Sequence, residues 1–284
     1  MSSPRKEQQQ QRGRCPGTGP GRARSTADES QFAGDCHLAA GELDAAIRDY
    51  RKAVGQDQSN PDRRTRLGDA YCLAGESTKA LSQYKEAIRA NPRKAEPHYS
   101  LAELYRSYGK WQAAVVEYRR AVEYDAKNPL YRFKLGKALW ECGLKQAAIA
   151  ETEKAVELAR TDSFYHFGLA EFYSRVGRLE EAITHFQHAT IYAPDDPYYA
   201  MRLGALLLRC GRTHEAIDVL STAVRLKRDD PAYHCLLADA YLREGMEAEA
   251  VIHYRRAGVL DDYDAVNLSM FRRMVDEEYS RTPR

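Results

Sequence analysis

Eight histidines are the side chains of this 284-residue chain best suited to hold a metal ion. His98, His166 and His234 follow one another at intervals of 68 residues, too far apart to converge on one ion, so we expect them to be packed inside the fold. His185 and His188 are three residues apart and could touch one ion, but zinc normally takes three or four protein ligands. We therefore expect these two to be solvated helix residues, and we predict neither a metal site nor a cofactor.

Motifs for covalent or phosphoryl-transfer chemistry are missing from the sequence. It contains no nucleophile elbow, no phosphate-binding loop and no HExxH. The six cysteines form no CxxC pair, which favours reduced thiols in a cytoplasmic protein. Paired carboxylates such as Asp195-Asp196 and Asp229-Asp230 lie in predicted turns, where acids favour the N-terminus of the following helix. The sequence thus predicts a chain that is not an enzyme.

The composition argues against two further classes of protein. The formal net charge is +2, which gives no reason to expect nucleic acid as a partner of the whole chain. No apolar run is long enough to span a bilayer, and the first residues lack the apolar region of a secretory signal. We expect a cytoplasmic protein without a membrane span.

The elements that position these residues are helices, as residues 163–196 illustrate. Apolar residues fall three, four and seven apart on each side of Gly177, which predicts two amphipathic helices joined by a short turn. Ala170 and Ala182 are small where the two helices must approach closely. Gly177 supplies the left-handed backbone that ends the first helix, and Pro194 cannot continue the second.

This pattern recurs every 34 residues. The turn glycines are Gly41, Gly75, Gly109, Gly143, Gly177, Gly211 and Gly245, and the small residues of the second helices include Ala46, Ala80, Ala114, Ala148, Ala182, Ala216 and Ala250. In period, helix–turn–helix pattern and small-residue positions the chain resembles the tetratricopeptide repeat family. The resemblance implies an all-α fold, a right-handed superhelical α-solenoid of seven helix–turn–helix repeats with a C-terminal capping helix.

The resemblance divides the chain into three parts. The seven repeats are expected at 27–60, 61–94, 95–128, 129–162, 163–196, 197–230 and 231–264. Residues 1–26 are rich in Gly, Pro, Gln and Arg and nearly devoid of apolar side chains, so we expect a disordered basic tail. Residues 265–284 are expected to form a capping helix, over 265–279, and a frayed end.

The repeats alternate in their first helices. Even-numbered repeats carry a basic residue before Leu-Gly, at Arg66, Lys134 and Arg202, whereas odd-numbered repeats read Leu-Ala-Glu or Leu-Ala-Asp at the same place. The alternation predicts a surface on which a basic side chain recurs in every second repeat.

By the resemblance, the first helix of each repeat lines a concave groove in which a partner binds. The fifth position of successive repeats gives an apolar ladder of Tyr99, Phe133, Phe167 and Met201. The full set of expected groove residues is Tyr99, Phe133, Trp140, Phe164, Phe167, Arg175, Tyr198, Met201, Arg209 and Arg243. Aromatic side chains there would anchor a partner. The alternative is that the ladder packs on adjoining repeats and belongs to the core.

Three of these groove residues, Arg175, Arg209 and Arg243, could hold a carboxylate of a bound peptide. Their alternative role is local pairing, because Glu171 precedes Arg175 and Asp239 precedes Arg243 by four residues on one helix. Arg209 lacks such a neighbour and is the strongest candidate for a charged contact.

We predict a non-enzymatic adaptor or scaffold that binds a protein or peptide segment in the groove. Two alternatives are a targeting or regulatory subunit of a larger enzyme assembly, such as a transferase whose catalytic part is another chain, and nucleic-acid contact through the basic tail. The tail has no aromatic residues to stack on bases, which disfavours nucleic acid. Chaperone C-terminal tails are also disfavoured, because no consecutive repeats carry the Lys, Asn and Arg pattern of family members that grip them. Self-association through the groove stays open.

Overall fold

The computed structural model describes residues 25–258, which form fourteen α-helices and no strand. The helices are α1 Thr26–Ala39, α2 Leu43–Gln56, α3 Pro61–Leu73, α4 Ser77–Ala90, α5 Ala95–Ser107, α6 Trp111–Tyr124, α7 Pro129–Glu141, α8 Lys145–Leu158, α9 Ser163–Arg175, α10 Leu179–Tyr192, α11 Pro197–Arg209, α12 Thr213–Leu226, α13 Pro231–Arg243 and α14 Glu247–Arg256. The predicted basic tail, apart from its last two residues, and the predicted capping helix lie outside the described residues. None of these helices is long and apolar enough to cross a bilayer.

Helix ends follow the local sequence. Pro129, Pro197 and Pro231 are first residues of helices, where the missing N–H costs nothing. Asp196 and Asp230 cap α11 and α13, accepting bonds from backbone N–H groups at 2.9 and 3.0 Å, as the paired carboxylates predicted. Each of the odd-numbered helices from α1 to α13 is followed by a turn glycine with positive φ. At Gly177, which precedes α10, φ is 82°.

The chain divides into two compact units between Ala148 and Ile149, a boundary that falls inside α8. In the N-terminal unit, α1 packs on α2, α3 on α4 and α5 on α6. In the C-terminal unit, α9 packs on α10, α11 on α12 and α13 on α14. The helix pairs fall within the predicted repeats, whose exact boundaries stay predictions.

Small residues sit where paired helices touch. Ala170 and Ala182 are fully buried, which confirms the prediction that α9 and α10 approach closely there. On α11 the residue corresponding to Ala170 is Gly204, and a Cβ added to it would lie 2.5 Å from Cγ of Leu220 on α12. These positions admit only small side chains because the partner side chain already fills the space.

Candidate functional site

The first helices of the C-terminal unit carry a cluster of apolar side chains that we call the aromatic patch: Phe164 and Phe167 on α9, and Tyr198, Tyr199 and Met201 on α11. The Phe167 ring lies with its centroid 5.4 Å from that of Tyr198 and 5.1 Å from that of Tyr199. Aromatic pairs at these distances stabilise one another beyond the area they bury. The patch therefore joins two neighbouring first helices.

The outer members of the aromatic patch face solvent. Phe164 is 38% exposed and Tyr198 is 41% exposed, whereas Phe167 and Met201 are half-buried. Phe167 also reaches inward, with its ring centroid 5.6 Å from that of the buried Phe186 on α10. Two exposed rings on neighbouring first helices, together with half-buried apolar side chains on the same helices, offer accessible apolar area, which is a feature typical of protein-binding sites.

The N-terminal unit has aromatic residues at equivalent places. Tyr99 is half-buried, and its ring stacks on that of Tyr131 with centroids 4.8 Å apart. Trp140 is also half-buried, and Lys145 Nζ lies 5.8 Å from its ring centroid. Neither aromatic residue is as exposed as Tyr198 in the C-terminal unit.

Phe133 does not lie on an open face. It is only 3% exposed, so its prediction as part of an open ladder is wrong and the alternative, packing in the core, holds for it. The Nζ of Lys137, one helical turn later, lies 5.6 Å from its ring centroid. Phe133 therefore contributes to folding rather than to an accessible apolar surface.

The three predicted groove arginines have different surroundings. Arg243 Nη1 donates to the carbonyl oxygen of Leu208 at 2.6 Å, which ties α13 to α11. Arg209 is exposed, and its Nη1 lies 3.4 Å from Oγ of Ser174. Arg175 is exposed as well. Of the three, Arg209 has the longest described hydrogen bond and keeps its place as the expected charged contact.

The basic residues that alternate along the chain are ion-paired across neighbouring repeats. The pairs are Arg66–Asp35 at 2.9 Å, Lys134–Glu103 at 3.1 Å and Arg202–Glu171 at 2.6 Å. In each pair the acid lies 31 residues before the base and comes from the preceding first helix. The predicted recurrence of a basic side chain in every second repeat is confirmed, but these positions do not form a basic surface, because each charge is balanced by a carboxylate beside it.

Most acids at this position also accept a hydrogen bond from the second helix of their own repeat. The tyrosine hydroxyls that donate are those of Tyr50 to Asp35 at 2.7 Å, Tyr84 to Asp69 at 2.8 Å, Tyr254 to Asp239 at 2.6 Å, and Tyr118 to Glu103. Burial raises the pKa of Glu103, but Lys134, the Tyr118 hydroxyl and Arg106 outweigh burial and hold it below its ordinary value. These carboxylates are occupied in holding helices together.

Histidines occupy the fourth position of the third, fifth and seventh repeats and are buried. His98, His166 and His234 are 2, 5 and 3% exposed, which confirms that they are packed inside the fold. In each, Nε2 lies 2.8 to 3.0 Å from a backbone carbonyl oxygen six residues earlier. Because a carbonyl oxygen only accepts, Nε2 carries the proton and Nδ1 faces the second helix.

A residue 19 positions later meets each Nδ1. The partners are Glu117 at 2.6 Å from His98, His185 at 3.0 Å from His166 and His253 at 2.8 Å from His234. The prediction that His185 is solvated is therefore wrong, since it is half-buried against another histidine. Burial, and then His166 and His188, lower the pKa of His185 to about 4. The sequence analysis did not predict these pairs, although their spacing of 19 residues recurs.

Groups suited to metal binding or nucleophilic attack do not converge in the part of the chain that the structure describes. Residues 25–258 contain no cluster of three or more His, Cys, Asp or Glu arranged to hold a metal ion. Burial raises the pKa of the Cys72, Cys210 and Cys235 thiols, which disfavours the thiolate that a nucleophile needs.

Sequence models of known families match several stretches of the chain. One described as TPR repeat matches residues 68–106 and 102–143, and two described as tetratricopeptide repeat match 177–240 and 131–162. Together the matches span more than half of the 284 residues. The chain belongs to the tetratricopeptide repeat family. Like the TPR fold in general, it is a repeat scaffold of the protein-interaction class, typically non-enzymatic.

Solved TPR structures share the fold of this TPR chain. A tetratricopeptide repeat protein from Parabacteroides merdae ATCC 43184 is 15% identical, with a TM-score of 0.59 over 88% of this chain and 98% of that one. YrrB, described as a TPR protein with an unusual peptide-binding site, is 19% identical, with a TM-score of 0.55 over 65% and 95%. MamA from Desulfovibrio magneticus RS-1 is 21% identical, with a TM-score of 0.54 over 59% and 95%. These likenesses show the fold alone. No curated protein matches the sequence.

Proposed function

We propose that this TPR chain is a non-enzymatic adaptor that binds a segment of a protein partner on the first-helix face of its C-terminal unit. The observation that carries the proposal is the exposure of Phe164 and Tyr198, at 38 and 41%, beside the half-buried Phe167. Rigid aromatic side chains that are already packed on one another lose little entropy when a partner covers them. They are therefore suited to act as anchors.

The surroundings of the aromatic patch indicate the chemistry of the partner segment. Apolar side chains of an extended or helical segment would cover the rings, and an acidic group would reach Arg175 or Arg209. Tyr99 and Trp140 offer a second apolar contact on the N-terminal unit. We also place the protein in the cytoplasm, a part of the proposal that is supported by five cysteines without disulfide bonds within residues 25–258.

Photo-crosslinking in cells tests the proposal. A photoreactive residue would replace Tyr198 on the first-helix face in one variant and Ile191 on α10 in a matched variant. Ile191 is 65% exposed against 41% for Tyr198, so it is a more accessible apolar position on a second helix. We expect a partner to be captured from position 198 and not from 191. Capture from position 191 alone would place the partner on the second helices and contradict the proposal.

Affinity for the captured partner segment then measures the role of the rings. We expect Tyr198→Ala and Phe164→Ala each to weaken binding about tenfold or more, which is the range of an interface anchor. Ile191→Ser removes a comparable exposed apolar side chain and should leave affinity unchanged. Equal affinities of all three variants would show that the aromatic patch does not bind the partner. A second copy of the chain as the captured partner would identify self-association.

A further inference from the structure

A recess of about 340 Å³ opens between α12, α13 and α14 in the C-terminal unit. Arg225 on α12, Arg228 in the following turn and Arg256 on α14 form its walls, and Val224 and Leu237 are among its apolar lining. This volume lies at the lower end of the range of small-ligand sites and exceeds that of a single inorganic ion. The recess therefore has room for a charged group and a short organic body attached to it.

The charge that lines this recess is positive, since it comes from three arginines. None of its lining residues is acidic, and in residues 25–258 none of the three guanidinium groups forms an ion pair. The nearby Asp230 accepts hydrogen bonds from Lys227 at 2.6 Å and from the backbone N–H of Ala232 at 3.0 Å. Within residues 25–258, three positive charges thus border one concave surface, and no carboxylate lines it.

Two histidines also line this recess and contribute ring nitrogen atoms to it. His234 and His253 both line it, with their Nδ1 atoms 2.8 Å apart. Because His234 Nε2 carries its proton toward the Arg228 carbonyl oxygen, His253 Nδ1 must donate to His234, so Nε2 of the neutral His253 is an acceptor that can donate to an anion only after it takes up a proton. Burial, and then the neighbouring His234 and Arg256, lower the pKa of His253. An anion in the recess would oppose this effect.

The places around the two earlier buried histidines, His98 and His166, include acids where this recess has none. Near His166, the residues 68 positions before Ser221 and Arg225 are Glu153 and Glu157 on α8, and Arg160 lies 68 positions before Arg228. In the repeat that contains His98, Glu117 takes the place of His253. Among these three places, only the recess between α12, α13 and α14 is therefore lined without an acid.

We propose that this recess binds the dianion of a phosphate monoester, with the guanidinium groups of Arg225, Arg228 and Arg256 around the phosphoryl oxygens. Guanidinium groups present paired N–H donors in a planar fork that matches the oxygens of a phosphate, and three of them exceed the two negative charges of the dianion. The apolar lining takes the organic body of the ester. The site is independent of the proposed adaptor function, because it is built from other helices than the aromatic patch.

Titration calorimetry on the purified full chain tests this site, with phenyl phosphate as the probe and phenyl sulfate, a monoanion of similar shape, as its control. We expect the double variant Arg225→Gln/Arg256→Gln to weaken phenyl phosphate binding at least tenfold. Arg119→Gln, a matched change of an exposed arginine on α6, should alter it less than twofold. No binding, equal binding of the sulfate, or equal weakening by Arg119→Gln would overturn the proposal.

The phosphoryl group could belong to a small molecule or to a phosphorylated side chain, and a second pair of probes separates these sources. A peptide with one phosphoserine that binds more tightly than glycerol phosphate would indicate a modified protein partner, and the reverse order would indicate a small ester. Either order of affinities supports the site if Arg225→Gln/Arg256→Gln abolishes the binding of the tighter probe. In both cases the bound phosphate should raise the pKa of His253, which NMR of the labelled imidazole measures. An unchanged pKa would show that the phosphate does not lie beside His253 and would overturn the proposal.

Discussion

Arg202 Nη2 donates to Oε1 of Glu171 at 2.6 Å and joins the first helices α9 and α11 of neighbouring repeats. The side chain of Arg202 is 37% exposed and that of Glu171 is 17% exposed, so the pair is partly shielded from water. Two equivalent pairs lie in the N-terminal unit, at Asp35 and at Glu103. The alternation of acids and bases along the sequence thus places an ion pair between the first helices of repeats one and two, three and four, and five and six.

A double-mutant cycle should detect this docking pair. We expect Arg202→Met and Glu171→Gln to show a coupling energy of about 1 kcal/mol in urea unfolding, because both partners are partly buried. The matched cycle on Arg178 and Glu181, an exposed pair within one turn of helix, should give less than about 0.5 kcal/mol. Equal coupling in the two cycles would contradict a special role for the cross-repeat pair.

Gly204→Ala should destabilise the C-terminal unit. The added Cβ would lie 2.5 Å from Leu220 Cγ, so the helices must separate or the leucine must leave its rotamer, at a cost of about 1–3 kcal/mol. Gly55→Ala in α2 is the control, because no atom lies within 4 Å of its added Cβ. That change should stabilise the chain by about 0.5–1 kcal/mol. Urea unfolding compares the two, and a neutral Gly204→Ala would show that the helices are loosely packed.

Phe133→Ala should reduce mainly stability, whereas Tyr198→Ala should reduce mainly partner binding. Phe133 is 3% exposed, so its loss leaves a cavity and should cost about 3–5 kcal/mol of stability. Tyr198 is 41% exposed, and its loss should cost less than about 1 kcal/mol while weakening partner binding. Chemical denaturation of both variants measures the difference. A large loss of stability in Tyr198→Ala would assign that ring to the core as well.

Acid should weaken the fold through His185. Its pKa in the folded chain is about 4, below the ordinary 6.5, because of burial and then the neighbouring His166 and His188. The unfolded chain therefore binds more protons between these values, so stability falls as pH drops from about 6.5 to 4. After allowance for partial exposure we expect about 1–2 kcal/mol from this group.

Urea unfolding at pH 7 and pH 4.5 measures that loss. His185→Gln keeps a polar side chain of similar length but cannot take up a proton, so its stability should depend less on pH than that of the original chain. Glu153 and Glu181, which also face His185, are kept in both proteins. An identical pH dependence of the two proteins would assign the effect to other groups.

Local patterns account for what was predicted correctly. Helices α9 and α10 lie within residues 163–196 on either side of Gly177, because apolar spacing, a turn glycine and a following proline act on neighbouring residues. The fully buried Ala170 and Ala182 follow from the same spacing. Family models and solved structures then confirmed the repeat assignment.

Contacts between helices account for the errors. The spacings of 31 residues in the ion pairs and 19 residues in the histidine pairs repeat along the chain, so a search for recurring charge pairs at fixed spacing could have found them. The burial of Phe133 had no such signal, since Tyr99 and Phe167 share its repeat position and are half-buried. Its neighbours on the adjoining helices decide how much of the ring stays accessible.

The sequence by itself determined the all-α repeat fold, the places of the turns and the small residues between paired helices, because these depend on backbone conformation and on a periodicity of 3.6 residues. Only the tertiary structure decided which aromatic rings remain exposed, which charges are paired and which arginines border an acid-free recess. Those properties arise where side chains from different helices meet. There, a partner one repeat away buries a ring or balances a charge.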